Sequence, residues 1–507
     1  MLDKVQPAGV KGFPGANNTL ISFESKGDGV AEYREWSKTT TDPLLVIDVA
    51  RPDSYAIDMF DVPGSFKHRA NFFVNSMVYA FDAGAIQDRS FMTLTQIFAA
   101  ALAVDKTVLA SVANIELDPD GDVMYYAVVM LGGFGDKASV ALMSAIITRA
   151  VALDREKAKI VDALSKGLFR DVSGQQDVAK IAEAERYVKY VTEFTAAAYA
   201  LRSLAERTEA QRRTFTEAPI SKVTQLLDSA GKSWWSKSRP KIGWSDLLAN
   251  HRSVIINAGI SELGEIVHER IGKQLSSMLL YSLQAAIMRN CSGWAKKNRW
   301  VSVFSDELSL LAGNSPEPLV WLRDQGRSFG VRLFMATQRP AQLPDLVRKA
   351  FLTFATLISF SQDDPSTAEE IAVNVGNGED WTKEAILHLD PYTAVVRAGY
   401  QFKRQTAFTV KIGNFEADRA GFAAIQGYEN AHALSEPNDA TPLEATVNSE
   451  VVQSKPQGHR SAATFMDNEQ PANPSTSRDQ PSFVNPASGQ TENVGEYPTL
   501  GESELGS

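Results

Sequence analysis

The residues of this 507-residue chain whose spacing carries most chemistry stand in "VSVFSDELSLLA", Val301 to Ala312. An apolar run there leads directly into two carboxylates, Asp306 and Glu307. A buried strand with that ending delivers both acids to its carboxyl end, the side on which open α/β sheets bind ligands. Such a pair suits metal-assisted hydrolysis, one acid holding Mg²⁺ through water while its neighbour orients and deprotonates an attacking water. Read as structure alone, the same pair starts a turn or caps the next helix.

Three features follow in order: "DQGRSFG" at Asp324 to Gly330, a strand pattern "VRLFMATQ" ending at Gln338, and the turn "RPAQLP" from Arg339 to Pro344. A glutamine ending the neighbouring strand is placed to hydrogen-bond a phosphate or the attacking water. The bland alternative for Gln338 is a polar strand end, and for Arg327 a helix-end cation favoured by the helix dipole.

The elements that must position these residues alternate. Leu44 to Ala50 reads as a buried strand, and Ser90 to Phe215 as a mainly helical region in which Tyr187, Val191, Phe194, Ala198 and Leu201 share one face. After Pro219 strand and helix patterns take turns: strands at 253–257, 300–305, 331–337 and 355–361, with helices at 260–288, 318–327, 343–351 and 366–375. That is the pattern of a parallel sheet covered on both faces, an α/β fold. Tyr392 to Ala398 and Gln405 to Ile412 read as antiparallel edge strands. Beyond about Gly427 the chain is rich in Pro, Ser, Asn and Gln, too poor in apolar residues to offset the entropy of ordering.

The two motifs, "VFSDELSLLAG" and "LRDQGRSFGVRLFMATQRPAQLP", make the stretch from about Pro219 to Phe415 resemble the FtsK and HerA group of hexameric DNA-pumping ATPases. Within that group it is most similar to the TraG- and TraD-like conjugative coupling proteins and the related type IV secretion ATPases. The resemblance implies a RecA-like core at residues 1–89 and 216–427, an all-helical domain at 90–215 and a disordered tail at 428–507. It also implies ATP and Mg²⁺ as cofactors, Asp306 as the metal-binding acid, Glu307 as catalytic base and Gln338 as γ-phosphate sensor. Arg327 would be an arginine finger acting on a neighbouring subunit's nucleotide, its guanidinium neutralising transition-state charge once subunits dock. Implied partners are further copies in a hexameric ring, DNA, relaxosome proteins and a membrane secretion channel.

Such a protein needs a phosphate loop, G-x-x-x-x-G-K-[ST]. The one Gly-Lys-Ser, Gly231 to Ser233, has Leu226 where the first glycine belongs. Better placed is "GFPGANNT", which offers Gly12, Gly15 and Thr19 as a degenerate loop, with Asn17 and Asn18 where glycine and lysine are wanted. Three explanations stay open: the loop lies upstream of Met1, another chain supplies it, or the protein is a relative that does not hydrolyse ATP. The function therefore has two expected forms, an ATP-driven motor for DNA transfer, or a pseudo-ATPase subunit or adaptor that assembles with a complete homologue.

Composition narrows the rest. A single cysteine, Cys291, excludes an intramolecular disulfide framework, and six scattered histidines give no zinc spacing. The apolar stretches fall short of the about 20 residues needed to cross a bilayer, so the expected location is cytoplasmic or peripheral at the inner face of the cell membrane. A net charge of −10 argues against a uniformly basic surface and leaves room for a local positive face. "GKSWWSKSRPKIGW", Gly231 to Trp244, is either a strand-binding loop of lysines and tryptophans or a surface loop whose tryptophans pack inward.

Overall fold

The computed structural model describes residues 17–24, 27, 29–30, 45–112, 114–170, 173–227, 230–260, 267–313, 315–376, 381–400 and 403–412. The fold is α/β, built on a five-stranded parallel sheet. Its strands are Asn18–Glu24 (β1), Leu45–Asp48 (β2), Val254–Asn257, Trp300–Ser305 and Val331–Met335. Two short strands, Ala56–Ile57 (β3) and Lys241–Ile242 (β4), pair beside this sheet. The last three sheet strands are therefore β5, β6 and β7, and the order across the sheet is β2-β5-β1-β6-β7.

Why β1 takes the centre is visible in its residues. All seven are buried, and a strand flanked on both sides needs side chains that tolerate burial on both faces. Ile21 and Phe23 supply apolar area; the polar Asn18, Thr19 and Ser22 are small, and Asn18 accepts a 3.0 Å hydrogen bond from Ser302 on β6.

Helices begin earlier than the sequence pattern suggests. Phe66–Ala80 (α1) starts at the Ser65 cap, whose hydroxyl accepts from the His68 amide at 3.2 Å. Asp88–Leu102 (α2), Asp136–Ser165 (α3) and Val178–Ala200 (α4) follow. Glu209–Leu226 then runs straight through the buried Pro219, so the expected boundary near 215 falls inside a helix. Nor is the helical region separated from the sheet: one continuous core holds Ile21 and Phe23 of β1 together with Leu94, Phe98, Leu142 and Phe194. Phe73 of α1 joins the two, lying 4.8 Å from Phe98 and 5.4 Å, edge-on, from Trp235.

The far halves of α3 and α4 extend beyond that core. Burial on α3 ends at Leu153, and on α4 it begins at Ala184. Where α3 leaves the core it is tied to α4 by Tyr199 donating to Asp154 at 2.7 Å and Tyr187 donating to Glu156 at 2.5 Å.

At the other end of the chain the structure corrects an expectation. The 355–361 strand does not continue the parallel sheet. Leu357–Ser359 (β8) instead pairs antiparallel with Thr393–Arg397 (β9). After the small hairpin Gly399–Tyr400 and Lys403–Arg404 (β10, β11), Phe408–Lys411 (β12) covers the other side of β9. This sheet has its own core, with Leu352, Leu357, Ile371 and Val395 among its members. The 392–398 and 405–412 segments are thus antiparallel as expected, in a second sheet rather than at the edge of the first.

The segment Gly231 to Trp244 also resolves. Trp234, Trp235 and Trp244 are buried, while Lys232 and Lys237 face solvent, which is the inward-packed alternative. Arg239 is buried with them. Its guanidinium donates to the carbonyls of Asp48 at 2.5 Å, Val49 at 3.1 Å and Tyr55 at 2.9 Å, and lies 5.0 Å from the Trp234 ring. Burial pulls its pKa down to about 10, and the fork geometry of arginine is what lets one side chain serve three carbonyls.

Arg239→Met should leave those carbonyls without their donor and lower the unfolding free energy by at least about 2 kcal/mol. Arg239→Lys should recover less than half of the loss, since a single ammonium cannot span the three acceptors. Urea denaturation of the three proteins measures both.

Candidate functional site

Chain order places the candidate site. From β1 the chain passes across β5 to β2, whereas from β6 it passes outward to β7. The carboxyl ends of β1 and β6 therefore flank a topological switch point, where loops part and leave a crevice. Asp306 and Glu307 follow directly on β6.

Register fixes what shares that edge. Asp48 pairs with Asn257, Asn257 with Glu24, and Phe23 with Ser305, so one further step sets Asp306 level with Glu24. The carboxyl ends of four neighbouring strands thus present Asp48, Asn257, Glu24 and, one residue past β6, Asp306. Asn257 braces this row: its amide nitrogen donates to Ile260 O at 2.8 Å and to Asp48 Oδ2 at 3.4 Å, and its carbonyl accepts from the Gly259 amide at 3.1 Å. Burial pushes the Asp48 carboxyl above the usual carboxylate range, opposed by hydrogen bonds from the Ala50 amide and Asn257 and by the charges of Arg51 and Arg239.

Glu307 takes the structural role that its sequence allowed. It is the cap of the short helix Leu308–Leu311, with Oε1 accepting from the Ser309 amide at 3.3 Å. Oε1 also accepts from the Thr337 hydroxyl at 2.9 Å, and Oε2 from the Gln338 amide at 3.4 Å. The end of β7 thereby holds the Glu307 carboxylate in one orientation. Gln338 is brought to the pair, though through its backbone, and its side chain lies in an exposed residue. The strand itself stops at Met335, which frees Thr337 and Gln338 to turn toward Glu307.

Arg327 is not brought there. It lies exposed in the turn Gly326–Phe329 that precedes β7, at the opposite end of the sheet. Five residues of β7 at roughly 3.3 Å each separate the two ends by about 16 Å.

Thr19 is likewise at the wrong end for a phosphate loop, which corrects the expectation drawn from "GFPGANNT". It is the second residue of β1, paired with Val301 at the start of β6. Its hydroxyl is 2.9 Å from His251 Nδ1, while Arg299 Nε donates to His251 Nε2 at 2.8 Å. With Nε2 accepting, Nδ1 carries the proton and donates to Thr19. Gly12 and Gly15 lie outside the described residues. The Gly-Lys-Ser triplet sits in the helix Ala230–Trp235, and Lys232 faces a separate cleft of about 630 Å³ lined by Asp118, Asp120 and Asp122. Three acids are a poor lining for a triphosphate.

After β1, at the carboxyl end of the sheet, the chain bends at Gly27. Gly27 is obligatory there: φ is +79°, and a Cβ would stand 2.1 Å from the Ile260 carbonyl oxygen. Glu24, buried at the end of β1, went unnoticed in the sequence. The available signal was the glycine pair, Gly27 and Gly29, a few residues after "TLISF".

Among the described residues no group of three or more His, Cys, Asp or Glu gathers to hold a metal ion. Also among them, no helix is long and apolar enough to cross a membrane. No protein-family model matches the chain, and no curated protein matches it either.

Two outcomes follow from this geometry. Glu307→Ala should cost about 0.5–2 kcal/mol of stability through the lost cap, with Glu307→Gln closer to the parent; thermal and urea unfolding compare them. Asp48 is protonated more readily in the fold than in the unfolded chain, so its contribution is fully present below its unfolded pKa and declines as pH rises through the folded one. Asp48→Asn should therefore be more stable than the parent at pH 7, by a margin that narrows toward pH 3 in urea titrations at each pH.

Proposed function

We propose that this chain is a Mg-nucleotide-binding ATPase of the FtsK/HerA type that acts on DNA as a ring of copies. The observation that carries the reading is the Asp306–Glu307 pair at a switch point, with the Gln338 amide 3.4 Å from the Glu307 carboxylate. Carboxylate oxygens fit Mg²⁺, which takes one or two of them and completes its shell with water and phosphate oxygens. When bound, the ion supplies charge neutralisation and polarises the phosphate.

In this reading Asp306 holds the ion's water shell. Glu307 accepts a proton from the attacking water, oriented by Thr337 and the Gln338 amide. Arg327, about 16 Å away along the strands, serves a neighbouring copy rather than its own crevice. DNA, relaxosome proteins and a secretion channel are the partners the reading assigns.

A second reading, a nucleotide-binding subunit that does not hydrolyse, is favoured by two observations. Glu24 adds a buried carboxylate on the strand next to Asp306. The Glu307 carboxylate already accepts from three donors, which compete with a water for its lone pairs.

Calorimetric titration of Mg-ATP into the full chain, followed by phosphate release, separates the readings. The parent should bind, and Asp306→Ala should weaken binding at least tenfold. Glu307→Gln should bind as the parent does while hydrolysis falls by about 10²–10⁴-fold. Binding without any hydrolysis by the parent selects the second reading, and no binding by a folded protein overturns both.

A further inference from the structure

Between β7 and β8 lies a cavity of about 720 Å³. Its walls are two strand edges, and among the described residues β7 pairs only with β6 and β8 only with β9. The lining is mostly apolar, with Leu333, Phe334 and Met335 from β7, Leu357, Ile358 and Phe360 from β8 and its end, and Phe351 from the helix between them. Phe334 is 51% exposed, Ile358 56% and Phe360 46%. Open edges next to exposed phenylalanines are a costly arrangement, because unpaired strand backbone seeks a partner and apolar area seeks cover.

The chain path identifies the cover. β7 leads through the helix Asp345–Leu352 into β8, a strand–helix–strand unit whose second strand ordinarily lies parallel to the first in the same sheet. The backbone of β7 is ready for it. Gly330 O accepts from Val301 and the Ala336 amide donates to Ser305, so the even-numbered residues face β6. Alternation then turns the amides of Leu333 and Met335 toward the cavity.

We propose that the cavity is the open position of a hinge, and that β8 closes onto β7, joining the two sheets into one. The small sheet moves as a unit because it carries its own core around Leu357, Ile371 and Val395. The helix Asp345–Leu352 is the pivot, with Val347 in the main core, Leu352 in the small one and Phe351 packed against both. Closure buries Phe334, Ile358 and Phe360 and pairs the Leu333 and Met335 amides. It also backs the strand whose extension, Thr337–Gln338, holds Glu307, so the hinge position bears on the orientation of that carboxylate. None of this rests on nucleotide chemistry.

The test is a cysteine pair, Phe334→Cys with Ile358→Cys, in the full chain under mild oxidation. A disulfide needs Cα atoms within about 7 Å, a separation that neighbouring strands meet and an open cavity does not. The expected result is a reducible cross-link, read as a mobility shift and by mass mapping. The control pair, Phe334→Cys with Thr409→Cys on the far strand of the small sheet, should stay reduced. Both sites of the test pair are half-exposed, so the variants should fold, and circular dichroism checks this. Cross-linking no greater than in the control overturns the proposal. Residue-resolved hydrogen exchange of the unmodified protein is the second readout. Protection of the Leu333 and Met335 amides supports closure, and exchange at unstructured rates together with an unlinked pair overturns it.

Discussion

Everything at the candidate site depends on one constraint, the burial of β1 between β5 and β6 in fixed parallel register. A parallel strand paired on both sides cannot slip by a residue without reversing the faces of all its side chains, and here both faces are filled. Because that register is locked, Glu24 and Asp306 end their strands at one level. The switch point is then a consequence of order: once β1 and β6 are neighbours whose chains leave in opposite directions, the crevice follows.

The site shares its polar groups with the scaffold. Glu307 is at once a helix cap and a presented carboxylate, and the row from Asp48 to Asp306 is braced by Asn257 from within. Such sharing lets the scaffold's own hydrogen bonds hold the Asp48 and Glu307 carboxylates in place. It also means that substitutions here report on stability and chemistry together, so an effect on activity has to be read beside an unfolding curve.

How much of this was legible in the sequence depended on periodicity. Residues 300–305 and 254–257 stood out because their runs are apolar and bounded, and Asp306 and Glu307 were legible with them. β1 was not, since Thr19 and Ser22 break its apolar run and only the fold reveals that small polar residues fill its tight centre. Without that strand in view, the glycines at its amino end, and with them Thr19, stand out as the loop. The placement of β8 was illegible for a different reason. Local pattern specifies a strand but not its partner, and β8 pairs with β9, which follows it in the chain, rather than with β7, which precedes it. The helical region read correctly as helical, while its continuity with the sheet core rests on contacts such as Phe73 with Trp235 that no local pattern encodes.

The paired helices α3 and α4 leave the core at Leu153 and Val191. Twelve further residues of α3, at about 1.5 Å each, carry its end roughly 18 Å outward. Tyrosine-to-carboxylate bonds to α4, together with the Lys157–Asp154 bridge at 2.9 Å within α3, fix the base of that extension. Mechanically it is a lever whose fulcrum sits in the shared core. A tilt of about 10° at the fulcrum displaces the end by about 3 Å over that length, so adjustments within the tolerance of a packed interior become side-chain-sized movements at the tip.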